Sequence, residues 1–357
     1  MKIAVLLIAI LFLGEIGATL LHFRTSNQEP EADKYRLELV PTLGGEKTYH
    51  GGGAINNKGQ VVGSATNSKG NIHAFFWEPG SASAVDLGTF GGFTSFGRAI
   101  NDRTQVVGGA ETQDGMRAFL WENGTLKNLG TLPGFHESIA TGINEAGDII
   151  GRAYTKIQGP FWKQPSIPVL WHGGEIRALP LPTGFVSGRA AAINNYGVIV
   201  GWAYDTTNHS TACSWEGSQV VNLGAVLGTK LSSANALNDG GEIVGTAGSS
   251  ERDMRAFVYK GKSVDWIPFL PYQSSARAAS IAEDGTVYLW GRVGVEILPI
   301  SFSPPDHKSV RDILLDLPRN DRYFPFDVFG VNKSKSIISF GSYENDPDRM
   351  VVMSPNQ

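Results

Sequence analysis

Few residues of this chain have the types and spacing that chemistry requires. His136 and Glu137 are adjacent, and an imidazole next to a carboxylate is a pairing that general acid–base catalysis uses. A glycoside hydrolase or lyase would place a second carboxylate about 5–9 Å from the first, and the sequence offers no evident partner for Glu137. The 7 histidines show no metal-ligand spacing, and no nucleophile elbow, phosphate loop or calcium loop is present. We therefore predict no catalytic residue, no metal site and no cofactor.

Tyr154, Phe161 and Trp162 belong to an aromatic-rich stretch, residues 154–164. This stretch lengthens the interval between a recurring Gly and a recurring aromatic residue to 20 residues, against 13 or 14 in three other copies of the interval. Aromatic rings on an exposed loop can stack on sugar rings or on the apolar side chains of a partner. In the alternative interpretation, Phe161 and Trp162 fold back over the edge of the sheet.

A repeat indicates the elements that must position these residues. The motif Ile-Asn-x-x-Gly, or a variant of it, recurs at intervals of 45, 43, 50, 44, 44 and 50 residues. A β-rich repeat of this size is typical of propeller blades. In each copy the Asn begins a turn, and the Gly supplies the positive φ that the turn needs. The Asn positions of the seven copies are Asn56, Asn101, Asn144, Asn194, Asn238, Ala282 and Asn332.

The first copy predicts one blade of four antiparallel strands, at residues 51–56, 60–63, 73–77 and 84–88. The third strand recurs with an aromatic residue in a constant register, which predicts a core between stacked blades. These aromatic residues are Trp77, Trp121, Trp171, Trp215 and Tyr259.

The chain ends predict how the ring closes. The last copy lacks a fourth strand, and the segment before the first copy, residues 35–45, resembles the fourth-strand segment 86–92. We therefore expect an all-β fold, a seven-bladed β-propeller of four-stranded antiparallel blades, in which the N-terminal strand completes the last blade. In the sixth copy, interval counting places the fourth strand at residues 312–317. An alternative makes residues 287–290 the third strand and 301–327 an insertion, and we prefer the first because it leaves no long loop.

Loops that enter the first strands, and loops that join second to third strands, share one face in propellers of this connection order. On that face the residues that break the repeat pattern are the better functional candidates. His50 and His136 are the two histidines that could meet at the channel mouth. The predicted ligand-binding residues, centred on blades two to four, are Tyr154, Phe161, Trp162, Phe135, His136, Glu137 and His50.

The N-terminus predicts export. Residues 3–13 form an uninterrupted apolar run after Lys2, which suits a secretory signal peptide and is short for a membrane span. Residues 1–23 are therefore a signal peptide or an uncleaved membrane anchor, 24–34 a linker, and 35–357 a single domain. Net charge is −4 with 18% charged residues and no basic patch, so we expect no nucleic-acid partner. Cys213 is the only cysteine, so no intramolecular disulfide can form, and we expect a buried, inert thiol.

Residues 54–63, 73–77 and 86–92 read Ala-Ile-Asn-Asn-Lys-Gly-Gln-Val-Val-Gly, His-Ala-Phe-Phe-Trp and Asp-Leu-Gly-Thr-Phe-Gly-Gly. This pattern resembles the HAF repeat family of extracellular repeat proteins. The resemblance covers residues 35–357 and is specific in the first five copies. It implies export and a repeat architecture, but no reaction. The His that gives the family its name is kept at position 73, whereas two other copies carry Arg117 and Arg255, so that His is not a required ligand.

Together these observations predict a monomeric, extracytoplasmic protein that acts as a binding or scaffold module rather than as an enzyme. Its expected partner is a glycan or an envelope or extracellular protein, and it would meet the membrane only through its N-terminal segment. Two alternatives remain open. One is a propeller enzyme of the glycoside hydrolase or lyase type, and the other is a purely structural envelope protein.

Overall fold

The computed structural model describes residues 35–49, 52–155, 165–250, 252–269, 273–293, 296–302, 310–312, 323–343 and 346–355. These residues form 29 strands and one short helix, and the strands pair antiparallel in seven sheets. The prediction of an all-β propeller built from four-stranded antiparallel units is confirmed. The predicted signal peptide or anchor, the linker, His50, Phe161 and Trp162 lie outside the described residues.

The first four sheets follow the chain in order, and each is numbered by its place in the sequence. Strand β1 (Tyr35–Leu39) precedes them and belongs to the last sheet. Sheet 1 consists of β2 (Gly44–Thr48), β3 (Ala54–Ile55), β4 (Val61–Asn67), β5 (Ile72–Trp77) and β6 (Val85–Gly88). Sheet 2 consists of β7 (Ser95–Ile100), β8 (Val106–Thr112), β9 (Gly115–Glu122) and β10 (Thr125–Asn128). Sheet 3 consists of β11 (Glu137–Ile143), β12 (Ile149–Tyr154), β13 (Ser166–His172) and β14 (Glu175–Ala178). Sheet 4 consists of β15 (Phe185–Ile193), β16 (Ile199–Asp205), β17 (Ser210–Glu216) and β18 (Gln219–Asn222).

The helix and the remaining three sheets complete the described chain. Helix α1 spans Leu223–Leu227 and follows sheet 4 directly. Sheet 5 consists of β19 (Leu231–Leu237), β20 (Ile243–Gly248), β21 (Arg255–Lys260) and β22 (Ser263–Trp266). Sheet 6 consists of β23 (Gln273–Ile281), β24 (Val287–Val293), β25 (Glu296–Phe302) and β26 (Val310–Asp312). Sheet 7 consists of β27 (Tyr323–Val331), β28 (Ile337–Tyr343), β29 (Asp346–Pro355) and β1.

In all the described sheets except sheet 6, which has Ala282, the turn between the first and second strands is held by the side chain of its Asn. In sheet 4, Asn194 Oδ1 accepts hydrogen bonds from the backbone N–H groups of Tyr196 at 3.1 Å and Val198 at 3.0 Å. Gly197 completes the turn at φ +79°, which glycine adopts without steric cost. The Asn194 amide then donates to the backbone carbonyl of Asn238 in sheet 5 at 3.2 Å. The recurring Asn is therefore both a turn former and a link between sheets.

The same link recurs around the molecule and defines its two faces. Asn332 of sheet 7 donates to the backbone carbonyl of Asn56 in sheet 1 at 3.0 Å, which joins the last sheet to the first. We call the face that carries these turns the turn face. The opposite face, where the chain enters each first strand and passes from second to third strand, is the entry face. The other links run from Asn56 to Asn101, Asn101 to Asn144, Asn144 to Asn194, and Asn238 to Ala282.

Sheet 7 combines both ends of the domain, as predicted. Strand β1 pairs antiparallel with β29, with Leu37 opposite Met353 and Leu39 opposite Val351. The backbone N–H of Val40 donates to the carbonyl of Met350 at 3.0 Å and continues this pairing. The N-terminal strand therefore covers an edge that β29 would otherwise expose.

Two predicted strand limits were wrong. The first strand of sheet 1 was expected at residues 51–56, but β3 contains only Ala54 and Ile55. Gly52 has φ +134°, which is incompatible with a continuous strand. The fourth strand of sheet 6 begins at Val310, before the predicted range 312–317, of which only residue 312 lies among the described residues. Residues 287–290 lie in the second strand of sheet 6, so the alternative that made them a third strand is also wrong.

The core lies between neighbouring sheets and is filled largely from the third strands, as predicted. Trp77 and Trp215 are 1% exposed, and Phe75, Phe119 and Phe257 are fully buried. Each large ring is held in position by two sheets, which gives the inner strands of sheets 2 to 4 a rigid support.

Candidate ligand-binding surface

Tyr154 and Glu137 face each other across the inner strands of sheet 3, at the entry face. Their backbones are paired in register between β11 and β12, and their side chains are 1% and 6% exposed. The Tyr154 hydroxyl donates to the Glu137 carboxylate, and burial together with the charge of Glu137 raises the pKa of Tyr154 well above its ordinary value. Glu137 Oε1 also accepts from the backbone N–H of Met116 in sheet 2 at 3.1 Å. Glu137 is thus engaged in joining two sheets.

The remaining predicted ligand residues lie in different environments. His136 is exposed whereas Glu137 is buried, so the adjacent pair is divided between solvent and core. Phe135 is half-buried and packs on the cluster that includes Val107 and Ala140. The arrangement therefore does not bring His136 and Glu137 together as an acid–base pair.

Arg152 is a buried cation between sheets 3 and 4. It is 4% exposed and follows Ile150 by two residues, so both side chains are on the same side of the sheet. Ile150 packs with Ala190 of sheet 4, which shows that this side meets sheet 4. The Arg152 guanidinium lies over the ring of Tyr154, with 5.1 Å between Cζ and the ring centroid. The contact is a cation–π interaction.

Arg189 lies on the innermost strand of sheet 4. It is at the same level between the two faces as Arg152 in sheet 3. It pairs opposite Trp202 in β16, just as Arg152 is paired opposite Ile139 in sheet 3. Trp202 Nε1 donates to the Tyr204 hydroxyl at 2.8 Å, so aromatic side chains adjoin this arginine. Arg189 is half-buried.

Arg98 is the third arginine of this region and lies at a bulge of β7. The pairing of β7 with β8 skips Arg98, between Gly97 and Ala99. Its side chain extends to sheet 1, where a Cβ atom on Gly52 would collide with Arg98 Nη1. Gly52 therefore provides room for this guanidinium. Arg98 also lies over the ring of Phe96, at 5.7 Å from Cζ to the centroid.

The electrostatics of Arg98, Arg152 and Arg189 are coupled. Burial and then the positive charge of Arg189 lower the pKa of Arg152 to about 9, with a further lowering by Arg98, whereas Tyr154 and Tyr204 raise it. Burial lowers the pKa of Arg98 and of Arg189 as well. We call these three residues the arginine cluster. Mutual repulsion and lost hydration disfavour its charged state, and an anion in contact with it would offset both effects.

Exposed apolar side chains are also present on the entry face. Phe93, between sheets 1 and 2, is 72% exposed. Val186 at the start of β15, Val226 in α1 and Phe269 after β22 are exposed too. Each lies on a segment that leads into the first strand of a sheet. The entry face thus carries single exposed apolar side chains at sheets 2, 4, 5 and 6.

Within the described ranges, no group of three or more His, Cys, Asp or Glu residues could hold a metal ion. No helix in the described part of the chain is long and apolar enough to cross a membrane.

The chain has a β-propeller fold. No protein-family model matches the sequence, and no curated protein matches it. The β-propeller domain of the trilobed protease from Pyrococcus furiosus is 11% identical, with a TM-score of 0.53 over 77% of this chain and 85% of that one. A structure described as YCF48 bound to D1 peptide is 10% identical, with a TM-score of 0.51 over 92% of this chain and 98% of that one.

A longer protein is similar over part of its length. Pyrococcus horikoshii acylaminoacyl peptidase is 11% identical, with a TM-score of 0.55 over 88% of this chain and 52% of the peptidase. This chain thus spans about half of that protein. At these identities the likeness shows the fold alone.

Proposed function

We propose that this protein is an exported, non-catalytic binding module whose ligand surface is the entry face of sheets 2 to 4. In this proposal its seven sheets are the blades of one closed ring, and residues 1–23 direct the chain out of the cytoplasm. The apolar run of the N-terminus and the resemblance to HAF repeat proteins support export. The expected ligand is a glycan or a protein of the envelope or extracellular space.

The exposed apolar residues of the entry face are the observation that carries this proposal. Four of the eight large hydrophobic residues that are exposed in the described chain lie on segments entering first strands: Phe93, Val186, Val226 and Phe269. Phe93 and Val186 lie at the starts of the first strands of sheets 2 and 4, and exposed apolar side chains on a loop face can contact a ligand. Tyr154 ends β12, and Phe161 and Trp162 follow it in the sequence before β13. Their role as ligand residues is part of the proposal.

The experiment is a glycan and cell-wall-fragment array with the purified protein and three variants. Phe93→Ala removes an exposed ring from the entry face, and the double variant Phe161→Ala with Trp162→Ala removes two aromatic rings from the segment after β12. Tyr196→Ala is the matched control, because Tyr196 is 79% exposed but lies on the turn face. We expect binding that falls by about tenfold in the entry-face variants, as for loss of an aromatic contact.

The control defines the outcome that would contradict the proposal. Tyr196→Ala should bind like the unchanged protein, and all variants should keep its unfolding temperature. If Tyr196→Ala abolishes binding and Phe93→Ala does not, the ligand surface is on the turn face. If no glycan is retained, the same variants are tested against envelope proteins, and failure there would favour a purely structural role.

A further inference from the structure

The arginine cluster is not explained by the repeat. In the register that follows the recurring Gly of the second strand, sheets 1, 2 and 5 carry Ser64, Gly109 and Thr246, and sheet 4 carries Trp202. All four are uncharged, whereas sheet 3 carries Arg152 there. A cation buried between two sheets has an energetic cost that an uncharged side chain does not have. The position therefore differs from these equivalents in charge.

The bulge position of the innermost strands shows a similar contrast. In sheet 3 this position is Thr141, whose hydroxyl donates to the carbonyl of Ala190 at 2.8 Å. In sheet 5 it is Asn235, whose amide donates to the carbonyl of Ala278 at 2.7 Å. Both side chains join their own sheet to the next one. Arg98 occupies the same position in sheet 2, but it extends the opposite way, to Gly52.

The register brings the cations together on three successive sheets. Arg152 points from sheet 3 toward sheet 4, and Arg189 lies on the innermost strand of sheet 4 at the same height. Arg98 is on the innermost strand of sheet 2, at the level of Thr141. This level is farther from the entry face than that of Arg189. Arg98 and Arg189 thus lie on innermost strands, whereas Arg152 lies one strand further out, in sheet 3.

We infer that the arginine cluster is an oxyanion site and that its occupant is the carboxylate of an acidic sugar. Guanidinium groups present planar, paired donors that match the two oxygens of a carboxylate. Rings adjoin two of the cations, since Trp202 is opposite Arg189 and Phe96 lies under Arg98. Aromatic faces bind the C–H face of a sugar ring, whereas an inorganic anion gains nothing from them. The coupled lowering of the arginine pKa values is consistent with a site that binds negative charge.

This inference rests on the entry face as the binding surface, but on residues other than the exposed apolar ones. The probe is trigalacturonate, an acidic sugar, compared with its methyl ester, which has the same rings and no charge, and with sodium sulfate. Binding to the purified protein is measured by calorimetry at low ionic strength. We expect trigalacturonate to bind at least about tenfold more tightly than its ester, as for loss of a charge-assisted hydrogen bond.

Variants locate the site. Arg189→Gln should weaken trigalacturonate binding by about tenfold or more. Arg189→Lys should bind with an affinity between those of Arg189→Gln and the unchanged protein, since it keeps the charge and loses the paired donors. Arg98→Gln gives a second test on another sheet. The control is Arg177→Gln, because Arg177 is exposed on the outer strand β14, away from the channel. Unfolding temperatures identify any variant whose loss of binding reflects loss of fold.

Each result decides the inference. Equal binding of the acid and its ester, no binding of the acid, or unchanged binding by Arg189→Gln and Arg98→Gln would overturn it. Sulfate binding as tight as that of trigalacturonate would overturn the sugar assignment and keep the oxyanion site. A neutral glycan that binds through Phe93, with no binding of trigalacturonate, would overturn the inference and leave the proposed function standing.

Discussion

At the scale of single residues, the buried Asn of each turn satisfies two sets of backbone groups at once. Asn194 accepts from two N–H groups of its own turn and donates to the carbonyl of Asn238 in the next sheet. We predict that Asn194→Ala lowers the free energy of unfolding by about 1–3 kcal/mol, because buried partners lose their hydrogen bonds. Denaturant unfolding measures this. Asn195→Ala on the same turn is exposed and should cost less, and a larger loss there would contradict the role of the buried amide.

The sixth copy offers the reverse experiment. Ala282 stands where the other sheets carry Asn, and Asp284 Oδ1 accepts from the backbone N–H of Thr286 at 3.0 Å in place of the missing amide. The backbone of the turn is otherwise the same, since Ala282 N–H donates to the Thr286 carbonyl at 2.8 Å. We predict that Ala282→Asn supplies a link to Asn332 and stabilises the protein by about 0.5–1.5 kcal/mol. A lower unfolding temperature than that of the unchanged protein would show that Asn does not fit.

Cys213 is predicted to be unreactive in the folded protein. Burial raises the pKa of its thiol to about 12, and the side chain is fully buried in the core between sheets 3 and 4. Since the thiol is protonated below its raised pKa, a disulfide reagent at about pH 8 should modify it only after unfolding, where the pKa is near 8.5. Absorbance of the released thiolate, with and without guanidinium chloride, measures this. Rapid labelling without denaturant would mean that this core opens locally.

At the scale of elements, the N-terminal strand is the feature whose removal should matter most. A chain starting at residue 41 lacks β1 and leaves the β29 edge unpaired, so we predict a lower unfolding temperature and association through that edge. A chain starting at residue 35 is the control, since it keeps all described strands. Scanning fluorimetry and size-exclusion chromatography test both. Equal stability of the two chains would show that β29 does not depend on β1.

The turns and third strands could be predicted from the sequence because their signals are local. An Asn followed three residues later by a Gly, and an aromatic residue in a fixed register, depend on backbone conformation and on packing that repeats. Features without a clear local sequence signal were not predicted. Gly52 was counted as part of a strand, although its positive φ interrupts it, and the fourth strand of sheet 6 lies where the repeat pattern is weakest.

The candidate site was only partly predictable for the same reason. The face and the sheets were inferred from irregular loops, but Arg98, Arg152 and Arg189 are far apart in sequence and follow no common spacing. The available signal was the charge of Arg152, since Ser64, Gly109, Trp202 and Thr246 in the same register are uncharged. Glu137 accepts a hydrogen bond from the backbone N–H of Met116 in another sheet, and no local pattern indicates this contact.

At the scale of the whole molecule, closure distinguishes this repeat array from an open one. In an open array each unit contacts only its neighbours and the ends fray independently. Here β1 pairs with β29, and Asn332 donates to the carbonyl of Asn56 at 3.0 Å. Sheets 1 and 7 therefore support each other in the same way as sheets that are adjacent in sequence.

Closure predicts that the sheets unfold together. Asn332→Ala removes the link that joins the two ends, and Asn194→Ala removes the equivalent link between sheets 4 and 5, so both should lower the unfolding temperature while leaving one transition. The change in far-ultraviolet circular dichroism should coincide with that in tryptophan fluorescence, which is the test for a cooperative transition. If the ring were energetically open at sheet 7, Asn332→Ala would leave the unfolding temperature unchanged, because its link would contribute nothing to stability. Asn194→Ala is the internal reference, since it should lower the unfolding temperature whether or not the ring is closed.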